Sequence, residues 1–242
     1  STLIDNSITI YEALEHIRNG KYVMPAFQRQ YVWSMEQMKI GDSILLDYPI
    51  ATFLFWHVDD NNVSWDTYFC NFLHEVTFAS RKQADSVNYE LSSIDVKLTD
   101  TAILDGQQRL TPLFLSLYGR AFIRQKHARK KLQEYGSQTS YRTEQAQADV
   151  DEEEYNSKKF DIKFTEKVGK LSPTQFEINN ILSAKFQDDT TRDQAIEDAI
   201  TNVPADSKEY ARNILNKLYN KIFVEKLICY TEIQDMKQDD AL

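Results

Sequence analysis

Cysteine is scarce in this chain: Cys70 and Cys229 are the two thiols among 242 residues, and they stand far apart in sequence. This scarcity excludes a disulfide-rich scaffold and a CxxC zinc site, and it favours a reducing, cytoplasmic setting. No apolar run approaches the length of a membrane span, and the first residues lack a signal-peptide pattern. We therefore expect a cytoplasmic protein that does not use a membrane as its partner.

Several catalytic signatures are also missing. The six glycines are scattered, so the chain has neither a GxxxxGK[ST] phosphate loop nor a GxGxxG dinucleotide fingerprint. The four histidines show no metal-ligand spacing, and no GxSxG nucleophile motif occurs. The sequence predicts no metal site of its own.

Charge is abundant but unevenly distributed. The formal net charge is −9, which argues against a generic DNA-binding surface. A basic stretch over 120–131 is followed by an acidic stretch over 149–154. One interpretation is a solvated helix followed by an exposed acidic loop. The other is a nucleic-acid contact through Arg124, Lys130 and Lys131.

Periodicity and capping patterns predict the elements of the first half. Thr9 with Glu12 forms a capping-box pattern that opens a helix, and Gly20 ends it. Pro25 restricts the short β-like run over 22–24 to a sheet edge or a turn. Further predictions are a helix over 34–47, a strand buried on both faces over 51–58, and strands over 63–69, 74–79, 87–91, 94–98 and 102–104.

The second half is predicted to be mainly helical. Residues 137–157 are polar and charged, and they are the candidate linker. The remaining predictions are a strand over 160–164, helices over 173–185, 192–201 and 207–223, and a returning strand over 226–233. The fold class is therefore α+β, with a small mixed β-sheet that carries the motif turns and a helical subdomain after it. We place the motif-bearing domain at 1–119 and the helical extension at 120–242.

The most informative motif is Asp-Gly-Gln-Gln-Arg at 105–109, between an apolar strand and a periodic helix. Asp105 occupies the expected N-cap position, and Gln108 three residues later completes a capping-box pattern. Gly119 is the expected end of the helix. The apolar stripe consists of Leu110, Leu113, Phe114, Leu117 and Tyr118.

Arg109 is unusual in this helix, because a cation in the first turn faces the positive end of the macrodipole. The placement is favourable if an anion such as a phosphate lies between the helix N-terminus and the guanidinium. Alternatively, Arg109 pairs with a neighbouring carboxylate or points into water.

A second polar group consists of Gln28, Arg29, Tyr31 and Trp33. Arg and Gln together suit forked hydrogen bonding to a phosphate and amide pairing to a base or sugar. The alternative for Tyr31 and Trp33 is that they are ordinary core aromatics.

Together the two motifs are specific. The segment MPAFQRQYVW at 24–33, followed by DGQQRLT at 105–111, resembles the family called domain of unknown function 262. This family is the GmrS-type N-terminal domain of modification-dependent restriction systems and related phage-defence proteins. The order of elements is also similar, and the resemblance is strongest over 8–58 and 100–119.

The resemblance implies a ParB/sulfiredoxin-like fold, in which the phosphates of a nucleotide rest on a helix N-terminus beside an arginine. It implies a nucleoside triphosphate ligand, with Mg²⁺ assisting. By resemblance the catalytic residues would be Asp105, Gln108 and Arg109. The nucleotide-binding residues would be Gln28, Arg29, Gly106, Gln107, Arg109 and Thr111.

The resemblance also implies partners. In the family, nucleotide binding or hydrolysis is linked to the cleavage of modified or foreign DNA by a nuclease domain or subunit. A homo-oligomer is a further expectation. A nucleotide-binding regulatory domain of a defence protein is thus the first hypothesis, and a DNA-binding module without nucleotide and a protein-interaction scaffold are the alternatives.

Two departures from the family pattern matter. Thr111 is followed by Pro112 where family members commonly have a second threonine, so Pro112 either fixes the first helical turn or delays the helix start. Family members also carry a helix with an Arg and an Asn after the returning strand. Here the chain stops soon after that strand, and we expect a truncated site whose hydrolytic activity alone is in doubt.

Overall fold

Two β-sheets and several helices form the part of the chain that the structure describes, and this confirms the predicted α+β class. The structure is a computed structural model, and it describes residues 2–26, 38, 52–59, 63–80, 83–84, 94–125, 131–141 and 162–235. Within these ranges, no helix has both the length and the apolar character that crossing a membrane requires.

Helix α1 (Ile10–Arg18) begins where the sequence predicts it. Thr9 is the N-cap, and its Oγ1 accepts a hydrogen bond from the backbone N–H of Glu12 at 3.1 Å. Gly20 follows the helix with a φ of +80°, which glycine adopts without strain. The helix buries one face in the main core, formed by Ile10, Ala13, Leu14 and Ile17.

The first sheet is mixed and has six strands. From edge to edge it contains β1 (Thr2–Ile8), β12 (Ile228–Asp235), β3 (Phe53–Val58), β7 (Thr101–Asp105), β2 (Tyr22–Pro25) and β4 (Phe69–Cys70). The returning strand is confirmed as β12, which runs parallel to β3 and antiparallel to β1. The domain boundary at residue 119 stays a prediction, although β12 places a strand from the second segment in this sheet.

One of two predictions about this sheet needs correction. Strand β2 is not an edge strand, because β7 pairs with one side of it and the two-residue β4 with the other, where Pro25 lies opposite Phe69. The prediction that β3 is buried on both faces is confirmed. Phe53 and Phe55 belong to the main core on one face, and Val58, with the partly buried Trp56, belongs to a second hydrophobic cluster on the other.

The second sheet includes strands from the region after residue 119, most of which was expected to be helical. Its order is β10 (Ile162–Glu166), β9 (Leu132–Ser140), β8 (Arg120–Arg124), β5 (Glu75–Ser80) and β6 (Gln83–Ala84), and β11 (Gln175–Glu177) also pairs with β9. The strands predicted at 74–79 and 160–164 are confirmed as β5 and β10.

The helix expected over the basic stretch is wrong, because its described parts form β8 and lead into β9. Ala121 and Ile123 alternate with outward-facing Arg120 and Arg124, which is the two-residue period of a strand. The linker prediction is also wrong at its start. Residues 137–139 are buried inside β9, and the linker residues after Tyr141 lie outside the described ranges.

Other departures are local. The strand expected at 63–69 is mostly the short helix α2 (Trp65–Tyr68), and the strand expected at 94–98 is a turn. The strand predicted at 87–91 and nearly all of the helix predicted at 34–47 lie outside the described residues. The helix expected at 173–185 is instead β11, a 3-10 helix (Ile178–Leu182) and the beginning of a short α-helix (Ala184–Gln187).

The last two predicted helices are confirmed. They are Arg192–Ala199 and Lys208–Tyr219, and the second continues into a π-helical turn over Asn220–Val224. Both contribute to the largest hydrophobic core, which also contains residues of α1, β3 and β12. Phe55 stacks on Tyr230 in this core with ring centroids 4.3 Å apart, so the C-terminal strand is anchored by aromatic packing.

Candidate functional site

The Asp-Gly-Gln-Gln-Arg motif lies at the junction between strand β7 and the helix that follows. The strand ends at Asp105, Gly106 makes the turn, and helix α3 (Gln107–Leu117) begins immediately. The strand–turn–helix arrangement is confirmed. The predicted stripe is buried at Leu110, Leu113, Phe114 and Leu117, so α3 is fixed against the main core.

The predicted capping box is wrong. The N-cap is Gly106, which has a φ of +96° and no side chain to cap the helix. Asp105 is still part of β7, and its side chain is exposed. A left-handed glycine lets the chain turn after Asp105, so the carboxylate lies beside the helix start instead of capping it.

Phe53 explains why the turn requires a glycine. A Cβ atom at position 106 would overlap ring carbons of Phe53, the first residue of β3. The sequence indicated a sharp turn at Gly106, but the aromatic side chain that the turn contacts is 53 residues away and was not among the predicted site residues.

A β-bulge lies beside the motif. Leu54 pairs with Asp105, but the next residue, Phe55, pairs with Ile103, so Leu104 is an extra residue on β7. A bulge bends its strand and changes where the following side chains point. Here it sets the position from which the chain leaves the sheet and enters the turn.

Arg109 lies in the first turn of α3 and is half-buried. Its backbone N–H donates to the carbonyl of Gly106 at 3.0 Å. Its guanidinium carbon lies over the ring of Phe53, 5.7 Å from the centroid, which is within cation–π range. Arg109 also has at least one further interaction within the protein, so the carboxylate-pairing alternative stays open.

The two motif glutamines differ in environment. Gln108 is exposed, whereas Gln107 is 4% exposed. The buried side-chain oxygen of Gln107, Oε1, has no hydrogen-bond partner among the described residues. An unsatisfied buried acceptor costs on the order of 1–3 kcal/mol, so its presence needs a reason.

Thr111 and Pro112 lie deeper in the helix. Thr111 is buried, and its hydroxyl donates to the carbonyl of Gln107 at 2.8 Å. Pro112 is the sixth residue of α3, so it does not sit in the first turn, and the helix still begins at Gln107. A proline there removes the helical hydrogen bond to the carbonyl of Gln108.

The other predicted motif residues, Gln28, Arg29, Tyr31 and Trp33, lie outside the described residues. Strand β2 leads into that segment and runs parallel to β7, with Val23 opposite Ala102. Parallel neighbouring strands have their carboxyl ends on the same side of the sheet. The chain therefore leaves β2 on the side where β7 enters the motif turn.

The candidate nucleic-acid residues are only partly described. Arg124 and Lys131 are exposed, and Lys130 lies outside the described residues. At the start of the same strand, Arg120 forms an ion pair with Glu134, with Nη2 and Oε2 3.1 Å apart. This acidic neighbour neutralises part of the basic stretch.

The C-terminal end of α3 is tied to helix α1. The hydroxyl of Tyr118 donates to Glu15 at 2.9 Å, and Arg18 donates to the same carboxylate at 2.6 Å. Burial and then the neighbouring Glu15 carboxylate raise the pKa of Tyr118 above its ordinary value. The hydrogen bond therefore keeps its proton at physiological pH.

Two histidines near α3 and in β3 contact other side chains of the protein. His74 places its ring edge-on against Phe114 of α3 at 5.1 Å, and burial lowers its pKa. His57 Nε2 lies 2.7 Å from Asp59 Oδ1. Across the described part of the chain, no group of three or more His, Cys, Asp or Glu side chains could hold a metal ion.

Comparison with known proteins identifies a family. The sequence model of the family described as "GmrSD restriction endonuclease, N-terminal domain" matches residues 10–242, and it confirms the predicted resemblance. A segment of 104 residues is 29% identical to "Uncharacterized protein MJ0686" of Methanocaldococcus jannaschii. That segment is 43% of this chain and 16% of the archaeal protein, so the match spans a small share of the relative.

Proposed function

This chain belongs to the N-terminal domain family of GmrSD restriction endonucleases, and from that premise we propose that it binds a nucleoside triphosphate at the β7–α3 turn. We propose further that nucleotide binding, with hydrolysis, regulates DNA cleavage by a nuclease domain or subunit. The family supports the DNA-targeting defence setting. The nucleotide is supported by the geometry of the turn.

The start of α3 is the observation that carries the proposal. Helix N-termini carry unsatisfied N–H groups and the positive end of the helix dipole. In α3 the N-cap Gly106 has no side chain to cap these groups, the first turn contains no acidic residue, and Arg109 adds a positive charge. This combination favours an anion with several oxygen atoms, such as a triphosphate.

The acceptors around the turn fit the rest of such a ligand. Gln107 Oε1 cannot bind a phosphate oxygen, because both are acceptors, but it can accept from a hydroxyl or N–H of a nucleoside. Asp105 supplies an exposed carboxylate beside the helix start. With no three-residue metal cluster in the described ranges, Mg²⁺ would be held mainly through the phosphates.

Hydrolysis would need a group that positions water beside the phosphates. Gln108 and Asp105 are the exposed polar side chains of the motif, and each can hydrogen-bond a water molecule there. Arg109 would neutralise charge that develops on the transferred phosphate. These roles follow from position and chemistry at the turn.

Calorimetric titration with GTP, ATP, CTP and UTP, with and without Mg²⁺, tests the proposal. We expect saturable binding of at least one nucleotide, weakened about 10-fold to 100-fold in Arg109→Ala because a charge-assisted contact is lost. Arg120→Ala is the matched control, since this exposed arginine lies beyond the other end of α3. Binding that Arg109→Ala leaves unchanged would contradict the proposal, as would the absence of binding to all four nucleotides.

A further inference from the structure

We propose that Phe53 is the positioning residue for Arg109 and thereby sets nucleotide affinity at the β7–α3 turn. This inference rests on the proposed nucleotide function. Phe53 lies outside the motif, on a different strand, and it would not touch the ligand itself. Its ring acts through the turn and the arginine that it contacts.

A single ring contacts both functional parts of the turn. It occupies the space of a side chain at position 106, and it also lies beneath the guanidinium of Arg109. Phe53 has no exposed surface and starts an interior strand, where it pairs with Tyr230 of β12. The ring is therefore a rigid platform fixed by the sheet.

The stagger between β3 and β7 places this platform. The bulge shifts the pairing so that Leu54, the neighbour of Phe53, lies opposite Asp105. The ring of Phe53 consequently lies under the residues that follow Asp105. Without the extra residue on β7, the turn would leave the sheet at a different position relative to the ring.

The chemistry of arginine explains what the platform contributes. A guanidinium donates its hydrogen bonds in its own plane and can rest one face on an aromatic ring. A ring under one face fixes the plane of the guanidinium, and with it the directions in which the N–H groups point. It also restricts a long side chain that would otherwise lose rotamer freedom when the anion binds.

The test compares two phenylalanines of the same strand. Phe53→Leu removes the platform, and Phe55→Leu is the matched control, because Phe55 is equally buried but stacks on Tyr230. Both variants should lose stability. We expect Phe53→Leu alone to weaken nucleotide binding, by about 5-fold to 20-fold, which corresponds to a partly desolvated cation–π contact.

A double-mutant cycle with Arg109→Ala separates positioning from general damage. If Phe53 acts through Arg109, Phe53→Leu should have almost no further effect on affinity in the Arg109→Ala background. The inference is overturned if Phe53→Leu lowers nucleotide affinity by the same factor in the parent and in the Arg109→Ala background. It is also overturned if Phe55→Leu lowers nucleotide affinity as much as Phe53→Leu does. Phe53→Met, whose unbranched side chain adapts more easily to the space that the ring leaves, replaces Phe53→Leu if the latter does not fold.

A readout without nucleotide distinguishes this inference from the proposed function. The side-chain Nε–H resonance of Arg109 should carry a ring-current shift that disappears in Phe53→Leu and persists in Phe55→Leu. If the parent protein binds no nucleotide, the functional proposal fails while this measurement still decides whether Phe53 positions Arg109. An unchanged resonance in Phe53→Leu overturns the inference.

Discussion

The two ends of helix α3 are built in opposite ways. At the C-terminal end, Tyr118, Glu15 and Arg18 satisfy one another by hydrogen bonds of 2.6–2.9 Å, and Arg18 lies 5.9 Å from the centroid of the Tyr118 ring. At the N-terminal end, Gly106 supplies no side-chain cap, and the oxygen of Gln107 has no partner within the described ranges.

This difference indicates that one end of α3 anchors the helix and that the other end is the candidate binding site. Natural proteins break rules of local consistency mainly at functional sites and compensate for the cost elsewhere. In α3 the satisfied end fixes the helix to α1, and the unsatisfied end presents N–H groups, an arginine and a buried acceptor. The same helix can therefore hold its position while its first turn stays available to a ligand.

The largest expected effect comes from Gly106→Ala. The substitution combines a φ of +96° with overlap against the Phe53 ring, so we expect a loss of roughly 3–5 kcal/mol in the free energy of unfolding. Gly20→Ala is the control, because Gly20 also has a positive φ but nothing lies within 4 Å of its added Cβ. Its expected loss is about 1 kcal/mol, from backbone strain alone.

Urea unfolding of both variants measures the contrast. Similar losses in Gly106→Ala and Gly20→Ala would mean that the ring contact carries no energy. The turn at Gly106 would then be energetically equivalent to the glycine turn at Gly20.

Gln107→Met tests whether the buried amide at the N-terminal end of α3 lowers the stability of the protein. Gln107 has a buried amide oxygen without a partner among the described residues, so replacing it by an apolar side chain of similar size should raise the free energy of unfolding by about 1–2 kcal/mol. The same substitution should weaken nucleotide binding, because a ligand donor loses its acceptor. Exposed Gln108→Met is the stability control and should change stability by less than about 0.5 kcal/mol. Destabilisation by Gln107→Met would show that the amide has a protein partner.

The sequence predicted the parts of the site that depend on local pattern. The periodic stripe from Leu110 to Leu117 predicted α3, and Thr9 with Glu12 predicted the start of α1. The capping residue was wrong because Gly106 and Asp105 are both good N-caps locally, and the choice depends on Phe53. No pattern within the motif contains that information.

The sequence missed most of the second sheet for a related reason. The polar residues of β9, such as Ser137 and Thr139, resemble a linker in isolation. Their burial comes from the tertiary structure: Thr139 pairs between Ile162 and Phe176, and the hydroxyl of Ser137 lies 2.9 Å from that of Ser116 on α3. Tertiary pairing therefore overrode the local composition.

Tyr118→Phe tests the anchoring end. Loss of the hydrogen bond to Glu15 should cost about 1 kcal/mol of stability, because Arg18 still pairs with the carboxylate. Nucleotide affinity should not change, since the full helix length of roughly 16 Å separates Tyr118 from the first turn. Tyr68→Phe at an exposed position is the control. A fall in affinity for Tyr118→Phe would show that the two ends are coupled.

The smallest expected effect is a dependence on pH that acts on the anchored end. Burial lowers the pKa of His74, whose ring lies against Phe114 and whose carbonyl accepts from Arg120 at 3.0 Å. The unfolded chain therefore binds more protons than the native state between the native pKa and the ordinary value of about 6.5. The stability from neutral His74 is present above that value and is lost as pH falls through the native pKa.

The free energy of unfolding at pH 7.5 and pH 5.5 measures this dependence. His74→Phe should flatten it in part, because burial and then the Lys21 charge lower the pKa of His16 in the same direction. A variant as sensitive to acid as the parent would exclude His74 as a source. Since none of residues 105–111 is a histidine, nucleotide affinity per folded molecule should not follow the His74 titration. An affinity that does follow it would mean that the anchoring end of α3 communicates with its first turn.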